Sequence, residues 1–138
     1  MRILSLVCIP VISVALLFGA GCNSKVGECN KLIGVMNTEG GKLKVSGADP
    51  AALKKMADDL DASSKTIGAV ELSIPELVKY RDDAKKVFTD VAAGARSSAQ
   101  AVESKDLAKV GSSMKVLSES AQANSKLVSD INAFCQAK

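Results

Sequence analysis

The chain has 138 residues, 18 basic against 15 acidic side chains, a formal charge of +3, one tyrosine, and neither histidine nor tryptophan. That length holds a single domain, and the near balance of charge, with no basic block carrying interleaved aromatics, argues against nucleic acid as a partner. Without histidine there is no Ser-His-Asp or Cys-His arrangement, no histidine metal ligand and no Glu-x-x-His pair of the di-iron bundles. A chain that is not an enzyme, with no cofactor and no metal, is therefore expected.

The first element is a leader. Arg2 precedes Ile3 to Phe18, which are apolar apart from Ser5, Ser13 and Pro10, and the run ends in Gly19, Ala20 and Gly21. This charged, apolar, small-residue order is that of a secretory signal, and about 16 apolar residues fall short of the roughly 20 that span a bilayer. Residues 1–21 thus read as a cleaved export signal. The stretch Phe18-Gly19-Ala20-Gly21-Cys22 resembles the lipobox of bacterial lipoproteins. That resemblance implies cleavage just before Cys22, a diacylglycerol on its sulfur and usually an acylated new amino terminus. Several acyl chains, at about 0.8 kcal/mol per buried methylene, would hold the chain stably on a lipid bilayer. Gly19 departs from the family, which usually has a branched aliphatic residue there, and the alternative is an ordinary signal followed by a chance cysteine. The likeness covers the first two dozen residues only. In lipoproteins of diderm bacteria an aspartate after the acylated cysteine tends to retain the protein in the inner membrane. Asn23 stands at that position here, so the resemblance implies the outer membrane, facing the periplasm.

Residues 22–27 are small and mostly polar and read as a lipidated tether, leaving 28–138 as the folded domain. Cys29, Leu32, Ile33 and Met36 recur at helical spacing. Gly40-Gly41 interrupts them at a cost of roughly 2 kcal/mol relative to two alanines, so this first helix either stops there or continues weakly to about Val45. A turn at Ser46-Gly47-Ala48 precedes Asp49-Pro50, an N-cap with proline at the first helical position. The second helix follows, with Leu53, Met56, Ala57, Leu60, Ser64 and Ile67 on its inner face. Ser73 and Glu76 have the spacing of a capping box, with Leu72 and Leu77 as its hydrophobic staple. From there a third helix of about 28 residues or 42 Å runs through Tyr80, Ala84, Phe88, Val91, Ala95 and Ala99 to Val102. Ser104 is the expected cap of the last helix, with Asp106 in its first turn. Its seam is read as Leu107, Val110, Met114, Leu117, Ala121, Asn124, Val128, Ile131 and Cys135, steps of three and four that suit helices packed at shallow angles. Asn124 is either at the edge of that seam or a buried amide fixing register.

No stretch alternates with period two and no hairpin signal appears, so an all-α fold follows. Of the four cysteines, Cys8 leaves with the signal and Cys22 carries lipid, which leaves Cys29 and Cys135. In an oxidising envelope these are expected to pair, closing a loop of about 106 residues with at most about 4–5 kcal/mol of stabilisation; two buried thiols are the alternative. In an up-and-down bundle the first and last helices meet at such a bridge only when the helix count is even. The pair therefore favours four helices over three, with Cys22 at the membrane-facing end.

The remaining candidates have plain readings. Asp58, Asp59 and Asp61 lack the ligand order of a calcium loop and read as a solvated face. Tyr80 and Phe88 read as core, and Glu71, Glu76 and Asp83 have no evident cleft in which to act as acid and base. Lys138 is similar to the last residue of the peptidoglycan-linked lipoproteins of enteric bacteria, but the likeness is a single residue and wall attachment is not the reading adopted. The expected function is that of an envelope lipoprotein whose helical domain supports or binds another envelope protein. The alternative is a small-molecule or lipid-binding module that uses space left between helices by Ala95, Ala99 and Ala121.

Overall fold

A computed structural model describes residues 24–43 and 49–137 of the chain. The expected signal at 1–21, the lipidation site Cys22 and the terminal Lys138 lie outside the described residues. Four helices account for nearly all of the rest: α1 (Lys25–Lys42), α2 (Pro50–Gly68), α3 (Pro75–Glu103) and α4 (Leu107–Gln136), with no strand among the described residues. The fold is the all-α, up-and-down four-helix bundle that the periodicity and the even-helix argument predict. It is not evenly closed, however. α3 is the central helix, with α2 on one side and α4 on the other, and α2 and α4 do not touch. α1 packs on all three, but at 18 residues against 30 for α4 it is about 27 Å long beside about 45 Å.

Local chemistry sets some of the helix ends, and tertiary contacts overrule it at others. Asp49 caps α2 as expected, its Oδ1 accepting from the amides of Ala51 and Ala52 at 3.1 and 3.0 Å, with Pro50 in the first turn. α1 begins earlier than the reading of 22–27 as a tether implies, because the Ser24 hydroxyl accepts from the Gly27 amide at 3.1 Å and starts the helix at Lys25. It then passes through Gly40-Gly41, ending at Lys42, with Leu43 packed against the core beyond the glycines.

Two expected caps are replaced. The last helix is capped by Asp106, whose Oδ1 accepts from the Lys109 amide at 3.1 Å, and not by Ser104. Ser104 belongs to the end of α3, where its own amide still bonds the Gln100 carbonyl at 2.9 Å. Lys105 then turns the chain with φ 55°, and the Asp106 amide reaches back to the Ala101 carbonyl at 3.0 Å, the six-to-one bond of a left-handed helix stop. The capping box at Ser73 and Glu76 is also absent, because Ser73 is engaged by another helix, as described below.

The core is built from Cys29, Leu32, Ala57, Leu60, Ile67, Leu77, Ala84, Phe88, Ala92, Ala95, Leu127 and Ile131. On α4 the expected seam is turned by one column. Val110, Leu117 and Asn124 are half-buried as its shared positions, yet Leu107 is 84% and Met114 59% exposed, Ala121 is exposed too, and the buried partners are Ser113, Ser120 and Leu127. The reason lies on α3, whose facing surface is made of small residues. A Cβ on Gly94 would stand 3.0 Å from Leu117 Cδ2, so the two helices approach too closely for Met114 between them. A serine fits, and the Ser113 hydroxyl is satisfied there, 2.9 Å from the Lys109 carbonyl, which accepts from it, and 2.9 Å from the Ser97 hydroxyl. Ala95 and Ala99 have no exposed surface.

This rotated seam makes a sharp contrast between two leucines of one helix. Leu127→Ala should destabilise the chain by about 2–5 kcal/mol through transfer and cavity terms. Leu107→Ala should stay within about 0.5 kcal/mol. Urea midpoints of the two variants check this, and equal losses would restore the seam expected from periodicity.

Candidate functional site

The chemically distinctive part of the molecule is the end of the bundle where α1 begins. Four chain segments meet there: the starts of α1 and α3, the turn after α2, and the end of α4. Cys29 and Cys135 are joined by a disulfide with Cα atoms 5.9 Å apart, across a sequence separation of 106. The sequence pairing is thus realised, and it fastens the shortest helix to the last turns of the longest. Cys29 is buried, 2% exposed, and Cys135 half-buried.

One residue before the bridge, Glu28 points its carboxylate at the start of α3. Its Oε2 accepts from the backbone amides of Ser73 and Ile74 at 2.9 and 3.0 Å, and its Oε1 from the Ser73 hydroxyl. α3 has no cap from its own sequence neighbours; a side chain from α1, 45 residues away, does that work. The Ser73 hydroxyl, the Ile74 amide and the Ser73 amide hold the Glu28 carboxyl below its ordinary value near 4.5, outweighing burial, which acts the other way. An acid at a helix N-terminus is also favoured by the helix dipole.

Cations take the opposite ends. The Lys25 ammonium donates to the Ala137 carbonyl at the end of α4 at 2.6 Å and lies 4.5 Å from the centre of the Phe134 ring. Phe134 in turn meets Tyr80 edge to face, with ring centres 5.9 Å apart. After α2, the Lys31 ammonium donates to the Glu71 carbonyl at 2.9 Å and the Arg81 guanidinium to the Val70 carbonyl at 3.1 Å. Each helix or turn end at this base therefore receives a side chain of complementary charge. Tyr80 is half-buried and Phe88 buried.

Further up, a second carboxylate ties α1 to α2. Glu39 is 5% exposed and accepts from Lys42 Nζ at 2.6 Å and from the Ser63 hydroxyl at 2.9 Å. The Lys42 bond is the main cause that keeps its carboxyl ionised below the usual range, against the effect of burial. Sequence spacing gave no sign of Glu28 or Glu39 as buried residues, since each interrupts the apolar stripe of α1. Nothing in the spacing signals either residue, because Ser73 and Glu76 have the intervals of a local cap that would leave the start of α3 already satisfied.

The acidic group on α2 is a solvated face with ion pairs. Asp58 and Asp61 share Arg96 at 2.8 and 2.7 Å, and Asp59 pairs with Lys55 at 2.6 Å. Among the described residues no group of three His, Cys, Asp or Glu is placed to hold a metal ion. Glu71 and Glu76 are exposed, and Asp83 pairs with Lys79 at 2.7 Å. One open recess of about 210 Å³ lies between α1 and α4, floored by Ile33, Met36, Val128 and Ile131 with Asn37 and Asn132 at its rim. No described helix is long and apolar enough to cross a membrane. The chain is thus an all-α, disulfide-closed helical protein. No family model, curated protein or solved structure matches it.

Two outcomes follow from the base. Replacing both Cys29 and Cys135 by alanine should lower stability by about 2–5 kcal/mol, read from urea unfolding. For Glu28, whose folded pKa is depressed, stabilisation is fully present above the ordinary carboxylate value near 4.5 and is lost as pH falls through the lower folded value. Glu28→Gln should therefore melt below wild type at pH 7, with the gap closing as pH falls below the ordinary carboxylate value near 4.5 and through the lower folded one; a gap independent of pH would contradict the clamp.

Proposed function

We propose that the chain is the precursor of an envelope lipoprotein, cut before Cys22 and held on a bilayer by acyl groups on that residue. The domain acts without catalysis, as a structural or protein-binding module. The observation that carries this reading is the order of features along the chain: the Arg2 to Gly21 leader, Cys22, and then, two residues on, Ser24 capping the first helix at the cross-linked end of the bundle. A disulfide over so long a span suits an oxidising compartment, which is where an exported chain would fold. The tether between Cys22 and the helix cap is so short that the disulfide-bonded base would rest close to the lipid surface. The absence of aspartate at Asn23 favours the outer membrane, facing the periplasm. On this reading the partners are the bilayer and another envelope protein.

A second reading, a module for a small apolar molecule, is favoured by one feature, the recess between α1 and α4 with its apolar floor and two carboxamides. A small molecule retained through gentle extraction and seen by native mass spectrometry would support it.

The test of the main reading is metabolic. Radiolabelled palmitate should enter the wild-type chain in a bacterial host and fail to enter Cys22→Ala, which should also leave the membrane fraction. Equal behaviour of the two chains would remove the anchor.

A further inference from the structure

α1 is held to the bundle differently from the other three helices. Its buried side chains are Glu28, Cys29, Leu32 and Glu39: two carboxylates, one sulfur of the bridge and a single leucine. Ile33, Val35 and Met36 reach the core but are only half-buried, and a Cβ on Gly34, Gly40 or Gly41 would meet nothing within 4 Å. The other ties are polar: Glu28 to the Ser73 and Ile74 amides, Lys25 and Lys31 to the Ala137 and Glu71 carbonyls, and Glu39 to the Ser63 hydroxyl. Water can replace each of these partners once a helix lifts, so they fix the seat of α1 more than they hold it down.

The three-helix layer beneath is a better-made unit. α3 packs along both α2 and α4 far more extensively than α1 packs on any of them, and its buried side runs from Leu77 through Ala84, Phe88, Ala92 and Ala95 to Ala99. α1 extends for about 27 Å beside an α4 of about 45 Å, so the upper turns of the layer already stand without it. A helix with one buried leucine on such a base opens as a separate unit when its fastening is removed. Among the described residues the Cys29–Cys135 bond is the one covalent fastening across the bundle.

From this we infer that α1 is a strap latched by the bridge, and that reduction by a protein dithiol of the Cys-x-x-Cys class opens it while α2, α3 and α4 stay folded. Cys29 is buried and Cys135, in the last turn of α4, is half-buried, so the attack falls on the Cys135 sulfur. A thiolate of the dithiol bonds to that sulfur, the bridge breaks, and Cys29 leaves as a thiolate that takes a proton from water. The second thiol of the dithiol, once deprotonated, attacks the reductant's own sulfur in the mixed disulfide and releases Cys135, which is protonated in turn. The bridge has then gained two electrons and two protons, and the dithiol has become a disulfide. What the opening accomplishes rests on the anchored reading above. Asn23 and Ser24, which separate Cys22 from α1, are then joined by the 18 residues of α1 in a leash whose added span is on the order of 20 Å, and the three-helix unit gains that reach from the lipid surface.

Hydrogen exchange read by mass spectrometry on the full-length chain in detergent micelles provides the test, before and after treatment with reduced thioredoxin without denaturant. Cys29 and Cys135 should become open to alkylation, and the amides of α1 should exchange at least about thirtyfold faster. Those of α3 between Ala84 and Ala99 should stay protected throughout the period in which α1 exchanges fully. The double variant Cys29→Ser, Cys135→Ser should show the reduced pattern with no reductant present. A bridge that resists thioredoxin in the folded chain, an α1 equally protected after reduction, or loss of protection in all four helices together overturns the proposal. None of these readouts depends on acylation, so failure of palmitate incorporation would remove the leash and leave the strap, whereas a protected α1 would remove the strap and leave the anchor.

Discussion

The bond between Cys29 and Cys135 is the constraint on which the arrangement of this small bundle depends. α1 is the shortest helix and makes fewer contacts than any other, and its sequence carries two adjacent glycines that disfavour a helix by roughly 2 kcal/mol. Left to its own stripe of Cys29, Leu32, Ile33 and Met36 it would be a marginal element, since an isolated helix of this length is barely stable in water. The disulfide fixes one end of it against the last turns of α4, and Glu39 and Leu43 secure the other. In the chain-entropy view a span of that length contributes at most about 4–5 kcal/mol, comparable with the whole stability of a small domain.

Placing α1 at that end has consequences for every other helix. It brings Glu28 within reach of the start of α3, so that a helix opening with Ile74-Pro75 is capped from outside its own sequence. It brings Lys25 to the end of α4 and Lys31 to the turn after α2. It also covers only the lower part of the groove between α2 and α4. The upper part of α4 keeps Val110, Leu117 and Asn124, the heptad equivalents of the buried Ile131, only half-buried. The half-covered upper part of α4 and the reinforced base are thus two results of one asymmetry in helix length.

Much of the fold could be read from residue spacing. The four helices, their order and the pairing of the cysteines were all legible, because helix periodicity and loop closure are properties of the chain alone. Asp49-Pro50 was legible as a cap because both groups involved lie within three residues. The misreadings share a cause. Ser73, Ser104 and the α4 seam each had two locally acceptable solutions, and spacing could not choose between them. Ser73 went to Glu28 of a distant helix, and Ser104 stayed with α3 because Lys105 could turn the chain. The α4 stripe rotated because the alanine and glycine face of α3 admits serine and excludes methionine.

What the sequence by itself determined is therefore the class of the protein: all-α, with helices in a readable order and no histidine chemistry, since each follows from residue types and their intervals; the bridge was one of two outcomes for Cys29 and Cys135 until the fold brought them together. What only the tertiary structure decided is which side of each helix is inside and which polar groups meet. Heptad spacing defines two overlapping stripes on one helix with equal validity, and the choice between them is set by how closely a neighbouring backbone can approach. The same holds for Glu28 and Glu39, whose burial is acceptable only because partners from other helices satisfy their oxygens, a condition that no interval along the chain records.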